Sequence, residues 1–183
     1  MRMILLACMA LLSLAATAAA QTTHVGPWRP RPTIGGAFGR LSAGETSATW
    51  KPLLAGTVEI PLTDRGRIRI EAGRSSFPHL FAASVGMPEE MARLSRVTVG
   101  GAALIRPGAP ISPYVGGSLG VYRLRVDNGP ADTVTGGNLY GGAEIMASDR
   151  ITVDAEVGIH LIDQTLFNER LFADLVLRIK VGL

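Results

Sequence analysis

The sequence holds one cysteine in 183 residues, Cys8, so one chain can build neither a disulfide framework nor a thiolate zinc site. Charged residues make up only 18%, below the ~25% usual for a soluble globular domain. Aromatic residues are scarce at 5%. Beyond the N-terminal stretch no apolar run approaches the ~20 residues that a membrane-spanning helix needs. The formal charge of +3 is small and evenly spread, which excludes the concentrated basic surface expected of a nucleic-acid-binding protein. What the chain does have is apolar residues (47%) and 22 glycines. That apolar content excludes a disordered chain, and the length suits one domain.

Residues 1–20 read as an export signal. Met1-Arg2-Met3 is a short positive region, Ile4 to Leu14 an apolar core, and Ala18 and Ala20 form an A-x-A cleavage site ahead of Gln21. The apolar run is too short to anchor in a membrane. Cleavage there removes the only cysteine, which suits passage through an oxidising compartment. Residues 21–32 (QTTHVGPWRPRP) lack any hydrophobic period and carry three prolines, so they are expected to be a periplasmic lead before a domain at 33–183.

Within that domain the hydrophobic period is two. Ala173, Leu175, Leu177, Ile179, Val181 and Leu183 alternate with Asp174, Arg178, Lys180 and Gly182, with Val176 as the exception. Ile151, Val153, Ala155, Val157, Ile159 and Leu161 alternate with Thr152, Asp154, Glu156, Gly158 and His160. Twelve residues of such alternation match a tilted membrane strand. The pattern recurs, less cleanly, around 33–40, 53–61, 67–72, 96–105, 113–125 and 138–145, with a change of phase expected in the fifth segment near Tyr122. Eight strands result. The gaps between them are expected to alternate in length: Leu41–Pro52, Phe77–Arg93, Asp127–Gly136 and Asp163–Leu171 are long, whereas Pro61–Gly66, Arg106–Ser112 and Ser148–Arg150 are turn-like. Membrane barrels of bacteria join their strands in this way, with short periplasmic turns and long external loops.

The expected fold is therefore an all-β, eight-stranded, antiparallel, up-and-down transmembrane β-barrel. Alternation alone also fits an exported soluble barrel with its apolar phase inside, binding a small apolar ligand. The signal segment, the loop lengths and a final strand reaching the last residue favour the membrane. The lumen would then hold Glu59, Glu71, Glu144, Asp154, Glu156 and Asp174 against Arg67, Arg69, Arg96, Arg178 and Lys180. That near balance is what a buried ion-pair network requires. Eight strands enclose a space that side chains fill, so the lumen is expected to be plugged, with Gly100, Gly142 and Gly158 making room for long Arg and Glu chains. Tyr114 is expected at the periplasmic interface, and Trp50, Tyr122, Phe167 and Phe172 at the external one.

With this architecture the chain resembles the small eight-stranded outer membrane barrels, the OmpX/OmpA-like outer membrane protein beta-barrel domain proteins, over about residues 33–183. The resemblance implies an outer membrane location and insertion by the barrel-assembly machinery. Ile179, Val181 and Leu183 would supply the terminal alternating signal, with Leu183 in place of the usual aromatic residue.

Enzyme chemistry has little to stand on. A lipid A deacylase of this architecture would need a Ser two residues from a His near the barrel end, but Leu161 and Ile162 follow His160. His160 reads as a lumen hydrogen-bonding residue. No metal-binding or phosphate-loop spacing is present, so no metal and no cofactor are expected. Two features invite contact with partners. Arg40, Arg74, Arg93, Arg123, Arg125 and Arg170 fall near the external strand ends and could form a basic collar for lipopolysaccharide phosphates. The connection around 77–93, with Phe77, Leu80, Phe81, Met87 and Met91, is apolar for an external loop and could meet a surface partner or cap the barrel mouth. The expected role is structural or surface-interacting and non-enzymatic: envelope integrity, adhesion or resistance. A lipid A-modifying enzyme is the third reading after the soluble ligand-binding barrel.

Overall fold

The computed structural model describes residues 31–43, 51–78, 91–127, 131–163 and 171–183. The expected signal segment, most of the lead, Trp50, Leu80, Phe81, Met87, Phe167 and Arg170 lie outside the described residues. Eight antiparallel strands, β1 (Thr33–Ala43), β2 (Lys51–Pro61), β3 (Gly66–Pro78), β4 (Met91–Leu104), β5 (Ile111–Val126), β6 (Ala131–Met146), β7 (Ile151–Ile162) and β8 (Leu171–Gly182), form a barrel in sequence order. It is closed by β1 against β8, in a register running from Thr33↔Gly182 to Ala43↔Phe172. Closure leaves no edge strand with unpaired backbone groups, the condition for a sheet to sit in lipid.

The three tight connections are fixed by local polar groups. Thr63 Oγ1 accepts from the amide of Gly66 at 2.7 Å, and Ser148 Oγ accepts from that of Ile151 at 3.1 Å. Each hydroxyl adds to a turn that backbone bonds also close, Thr63 N–H to the Gly66 carbonyl and Ser148 N–H to the Ile151 carbonyl, each at 3.1 Å. Between β4 and β5 the Ser112 hydroxyl donates to the Arg106 carbonyl at 2.7 Å, and Gly108 takes φ of 77°, a left-handed conformation that favours glycine.

The opposite connections do not alternate with these as strictly as expected. β5 and β6 continue as a paired hairpin up to Arg125↔Ala131, so Asp127–Gly136 is largely strand. The β-branched run Thr133-Val134-Thr135 suits the ladder. Phe77 and Met91 likewise belong to the ends of β3 and β4, not to the connection between them.

The apolar phase faces outward. Leu119 is 76% exposed and Leu139 72%, and Phe38, Leu54, Val97 and Ile179 share that wall. The acids and bases of the other phase are buried inside. A soluble barrel with an apolar cavity has the reverse arrangement, and this structure excludes it. β5 keeps one phase throughout: Tyr114, Tyr122, Leu124 and Val126 are all inward and buried, while Val115, Leu119, Val121, Arg123 and Arg125 face outward. The expected phase change near Tyr122 does not occur. It is the polarity of the two faces that inverts near the loop end, where the lumen becomes apolar and the outer wall becomes basic.

Glycines let the sheet curve tightly. A Cβ on inward Gly100 would strike the Gly117 carbonyl and Ser118 of the neighbouring strand, whereas at outward Gly56 it would meet nothing within 4 Å. Gly100→Val is therefore expected to lower stability by about 1–3 kcal/mol through overpacking, and Gly56→Val to leave it within ~0.5 kcal/mol. Denaturant midpoints of the folded barrel in detergent check this contrast.

Candidate functional site

The inward charged residues meet in one layered network. Nearest the turn end, Lys180 Nζ lies 2.9 Å from Glu59 and 2.8 Å from Glu144. Arg67 bridges the same two carboxylates, at 2.7 Å to each. One layer up, Arg69 pairs with Glu59 at 2.7 Å and with Glu156, its guanidinium 5.4 and 4.6 Å from the ring centres of Tyr114 and Tyr140. Arg178 sits at the centre and reaches Glu71 at 2.6 Å, Asp154 at 2.9 Å and Glu156 at 3.2 Å. Arg96 joins Glu71 at 2.7 Å to Asp174 at 2.8 Å. All five bases and six acids expected in the lumen are thus in contact, because a two-residue period on eight closed strands brings every inward side chain to one axis.

His160 ends the network. Its Nε2 lies 2.9 Å from Asp174 Oδ2 and its Nδ1 3.1 Å from the Tyr122 hydroxyl. Arg96 Nη1 lies 2.9 Å from the same Nε2, so the imidazole is held by an acid, a base and a phenol at once. Above it lies a layer absent from the sequence-based expectation. Leu41, Ala92, Leu94, Tyr122, Leu124, Ile162 and Phe172 pack together inside the loop end of the lumen. Val176, the exception in the β8 alternation, is inward and fully buried with Ala37 and Leu53. At the turn end Ala102, Leu104, Tyr114 and Tyr140 form another cluster. Tyr114, Tyr122 and Phe172 are therefore lumen residues and not interfacial aromatics. Tyr114 stands within hydrogen-bond distance of Asp154 (2.9 Å) and Glu156 (2.8 Å).

The inward glycines serve other neighbours than expected. Gly158 makes room for the Asp174 carboxylate and Gly142 for the Tyr114 ring, while Gly100 allows close approach of β4 and β5. The expectation that they accommodate long Arg and Glu chains is corrected accordingly.

This constellation offers little to a substrate. The His160–Asp174 pair is enclosed between the ion network and the apolar layer, and its hydroxyl neighbour is a tyrosine bonded to the imidazole. Acyl or glycosyl transfer requires a nucleophile activated by a base, and the hydroxyl bonded to the imidazole here is the Tyr122 phenol. No group of three metal-ligating side chains occurs among the described residues.

The outer wall carries the exposed chemistry. Arg74 faces Ser95, which faces Arg123, across β3, β4 and β5. Arg93 lies directly opposite Arg125 and bonds Asp127 at 3.1 Å. Adjacent strands stand ~4.8 Å apart and alternate residues ~6.8 Å, so four arginine Cα atoms fall within a patch of about 10 by 7 Å. Arg40 is also exposed, but it sits on β1 between Pro52 and Leu175. It is two residues beyond the row Phe38↔Leu54↔Arg74, so the five described arginines follow the loop end from β1 to β5, with Arg74, Arg93, Arg123 and Arg125 the denser part. Below the cluster and offset toward β6 and β7, an outward apolar groove of about 670 Å³ crosses β4 to β7, floored by Gly117 and Gly137 and walled by Leu119, Leu139 and Leu161. A second hollow of about 910 Å³, lined by Val121, Thr135 and Gly136, adjoins it through the shared Leu119 and Leu161. Ile179, Val181 and Leu183 are outward and exposed on β8.

Solved structures share this fold. Neisserial surface protein A matches with a TM-score of 0.65 at 15% identity, covering 83% of this chain and 96% of that one. OprG from Pseudomonas aeruginosa gives 0.54 at 10% identity over 87% and 97%. Ail, the attachment invasion locus protein of Yersinia pestis, solved with the heparin analogue sucrose octasulfate, gives 0.51 at 13% identity over 84% and 97%. No curated protein matches the chain. The family model described as outer membrane protein beta-barrel domain matches residues 4–174. A closed eight-stranded barrel, apolar outside and ion-paired within, meets that model over nearly its whole length, and the chain belongs to the outer membrane protein beta-barrel domain family.

Proposed function

We propose that this outer membrane protein is a non-enzymatic barrel with a plugged lumen, acting in the structure of the envelope and at its surface. The observation that carries this reading is the filling of the lumen: a buried ion-pair network covered at the loop end by an apolar layer and packed beside a second apolar cluster toward the turn end. The groups with chemical potential are spent on one another there, which leaves the outer wall and the external connections for interaction. On the wall, the Arg74, Arg93, Arg123 and Arg125 cluster suits the phosphates of lipopolysaccharide, because guanidinium forks pair with phosphate oxygens. Arg93 and Arg125 face each other across strands, an unfavourable like-charge pair that an anion between them would offset. The apolar connection between β3 and β4 suits a surface partner, and the exposed alternation at Ile179, Val181 and Leu183 suits recognition by the barrel-assembly machinery.

A plugged lumen is tested by reconstituting the purified protein in planar bilayers. The expected result is no discrete conductance at moderate voltage, with lipid A recovered unmodified from cells expressing the protein. Stable ohmic steps that scale with salt would overturn the plug. Loss of an acyl chain from lipid A would overturn the non-enzymatic reading.

A further inference from the structure

Apolar surface is expected on a lipid-facing wall, but a groove in that wall is not, and this one has a definite place. It is centred on β5 and β6, below the arginine cluster of β3 to β5 and offset to one side of it, with the second hollow between them. In register order the outward pairs descend from Arg123↔Thr133 through Val121↔Thr135 and Leu119↔Gly137 to Gly117↔Leu139. The drop from Arg123 to Gly117 is six residues on one strand, or ~20 Å along it. For a strand tilted by ~45° that is ~14 Å of depth, close to the ~15 Å of one leaflet's hydrocarbon. The second hollow thus lies next below the headgroup level of the external leaflet, and the groove continues it from Leu119 to near the midplane. Leu119, Leu139 and Leu161 stand out beside Gly117 and Gly137, so the wall is notched between them.

The charge above it is complementary to one kind of occupant. No carboxylate among the described residues pairs with Arg74, Arg123 or Arg125; Asp127 engages only Arg93. The exposed hydroxyls of Thr133 and Thr135 flank the upper end on β6, and the exposed carboxylate of Asp163 lies beside Thr135 on the side away from the arginines. A ligand satisfying both parts needs a phosphorylated headgroup at the external surface and an acyl chain beneath it. We infer that the β4–β7 groove and the Arg74/Arg93/Arg123/Arg125 cluster form a single site for one lipid A unit, with a phosphate on the guanidiniums and an acyl chain seated between Leu119, Leu139 and Leu161. This inference rests on the phosphate contact proposed above and adds the groove, which turns a general attraction into a site of defined stoichiometry.

Binding of purified diphosphorylated lipid A to the detergent-solubilised barrel tests it, with phosphatidylglycerol and dephosphorylated lipid A as comparison probes and native mass spectrometry as the readout. One lipid A per barrel is expected, held at least tenfold more tightly than either comparison lipid. Arg74→Gln with Arg123→Gln is expected to weaken it at least tenfold. Gly137→Leu, which fills the groove, should do the same with the arginines intact. Leu119→Ala with Leu161→Ala removes the walls without adding bulk, so it gives the same answer where the larger side chain prevents folding. If the arginine changes weaken binding but neither groove change does, the phosphate contact stands and the site proposed here is overturned. If none of the changes matters, both fail. Phosphatidylglycerol binding as tightly as lipid A overturns the assignment of the occupant.

Discussion

Replacing Arg178 with Met is expected to lower the stability of the folded barrel by about 3–5 kcal/mol, the cost of removing one partner from a buried ionic cluster. The side chain is completely buried and holds three carboxylates from two strands, Glu71 on β3 and Asp154 and Glu156 on β7, with Arg178 itself on β8. Without it those acids face one another in a site that water does not reach freely, and two of them lose their closest cation. Arg69 and Lys180 are near enough to Asp154, at 3.8 Å each, to recover only part of the loss. Lys at 178 should be intermediate, since an ammonium is a point charge and cannot present the guanidinium fork to opposite sides of the lumen. Urea-induced unfolding in detergent, followed by tryptophan fluorescence or by the shift between folded and heat-denatured gel bands, measures the difference. A variant as stable as the parent would mean that the network is not held as described.

The second large effect is expected on the other face. Leu139 lies midway along β6 and is 72% exposed on the outer wall. An arginine there must enter the hydrocarbon at its centre, and Leu139→Arg should cost about 2–4 kcal/mol, while Thr133→Arg near the external rim costs about 0–1 kcal/mol. The gradient is the informative quantity. In a soluble barrel with the same exposure both substitutions would be nearly silent, because each would simply enter water. Unfolding free energies in phospholipid vesicles separate the two cases.

These expectations show how unevenly the sequence discloses the structure. The strands of the second half are visible in their alternation, because β7 and β8 keep apolar residues on one face and ionisable ones on the other along most of their length. The lumen charges follow from the same period. Residues near the loop end are harder to read. There the membrane ends, so the outer wall becomes Arg123 and Arg125 while the lumen takes Tyr122, Leu124 and Val126. A rule that assigns the apolar phase to the lipid reads this inversion as a slip in phase. Val176 is misread for the same reason, an apolar residue placed inward to pack with Ala37 and Leu53. Tyr114 and Phe172 look interfacial because they lie near strand ends, but their faces are set by parity, and even-numbered positions of β5 and β8 point inward. Parity applied strictly along β5 would have found the inner apolar layer. The groove, by contrast, has no sequence signal of its own. It depends on which residues of β4, β5, β6 and β7 lie opposite one another, and only the register supplies that.

The central claim is that a single phase runs through β5, with lipid outside and a sealed lumen inside. Single cysteines introduced along that strand in a variant lacking Cys8, reconstituted in vesicles, test it most directly. Spin labels at Leu119→Cys and Val121→Cys should be accessible to oxygen and shielded from a water-soluble nickel chelate, and labels at Arg123→Cys and Arg125→Cys should shift toward the chelate. Leu124→Cys should resist thiol reagents from either phase until the barrel is unfolded. A Leu124→Cys thiol that reacts readily in the folded barrel and carries an oxygen-accessible label would place that residue in lipid, and would contradict both the single phase and the sealed lumen.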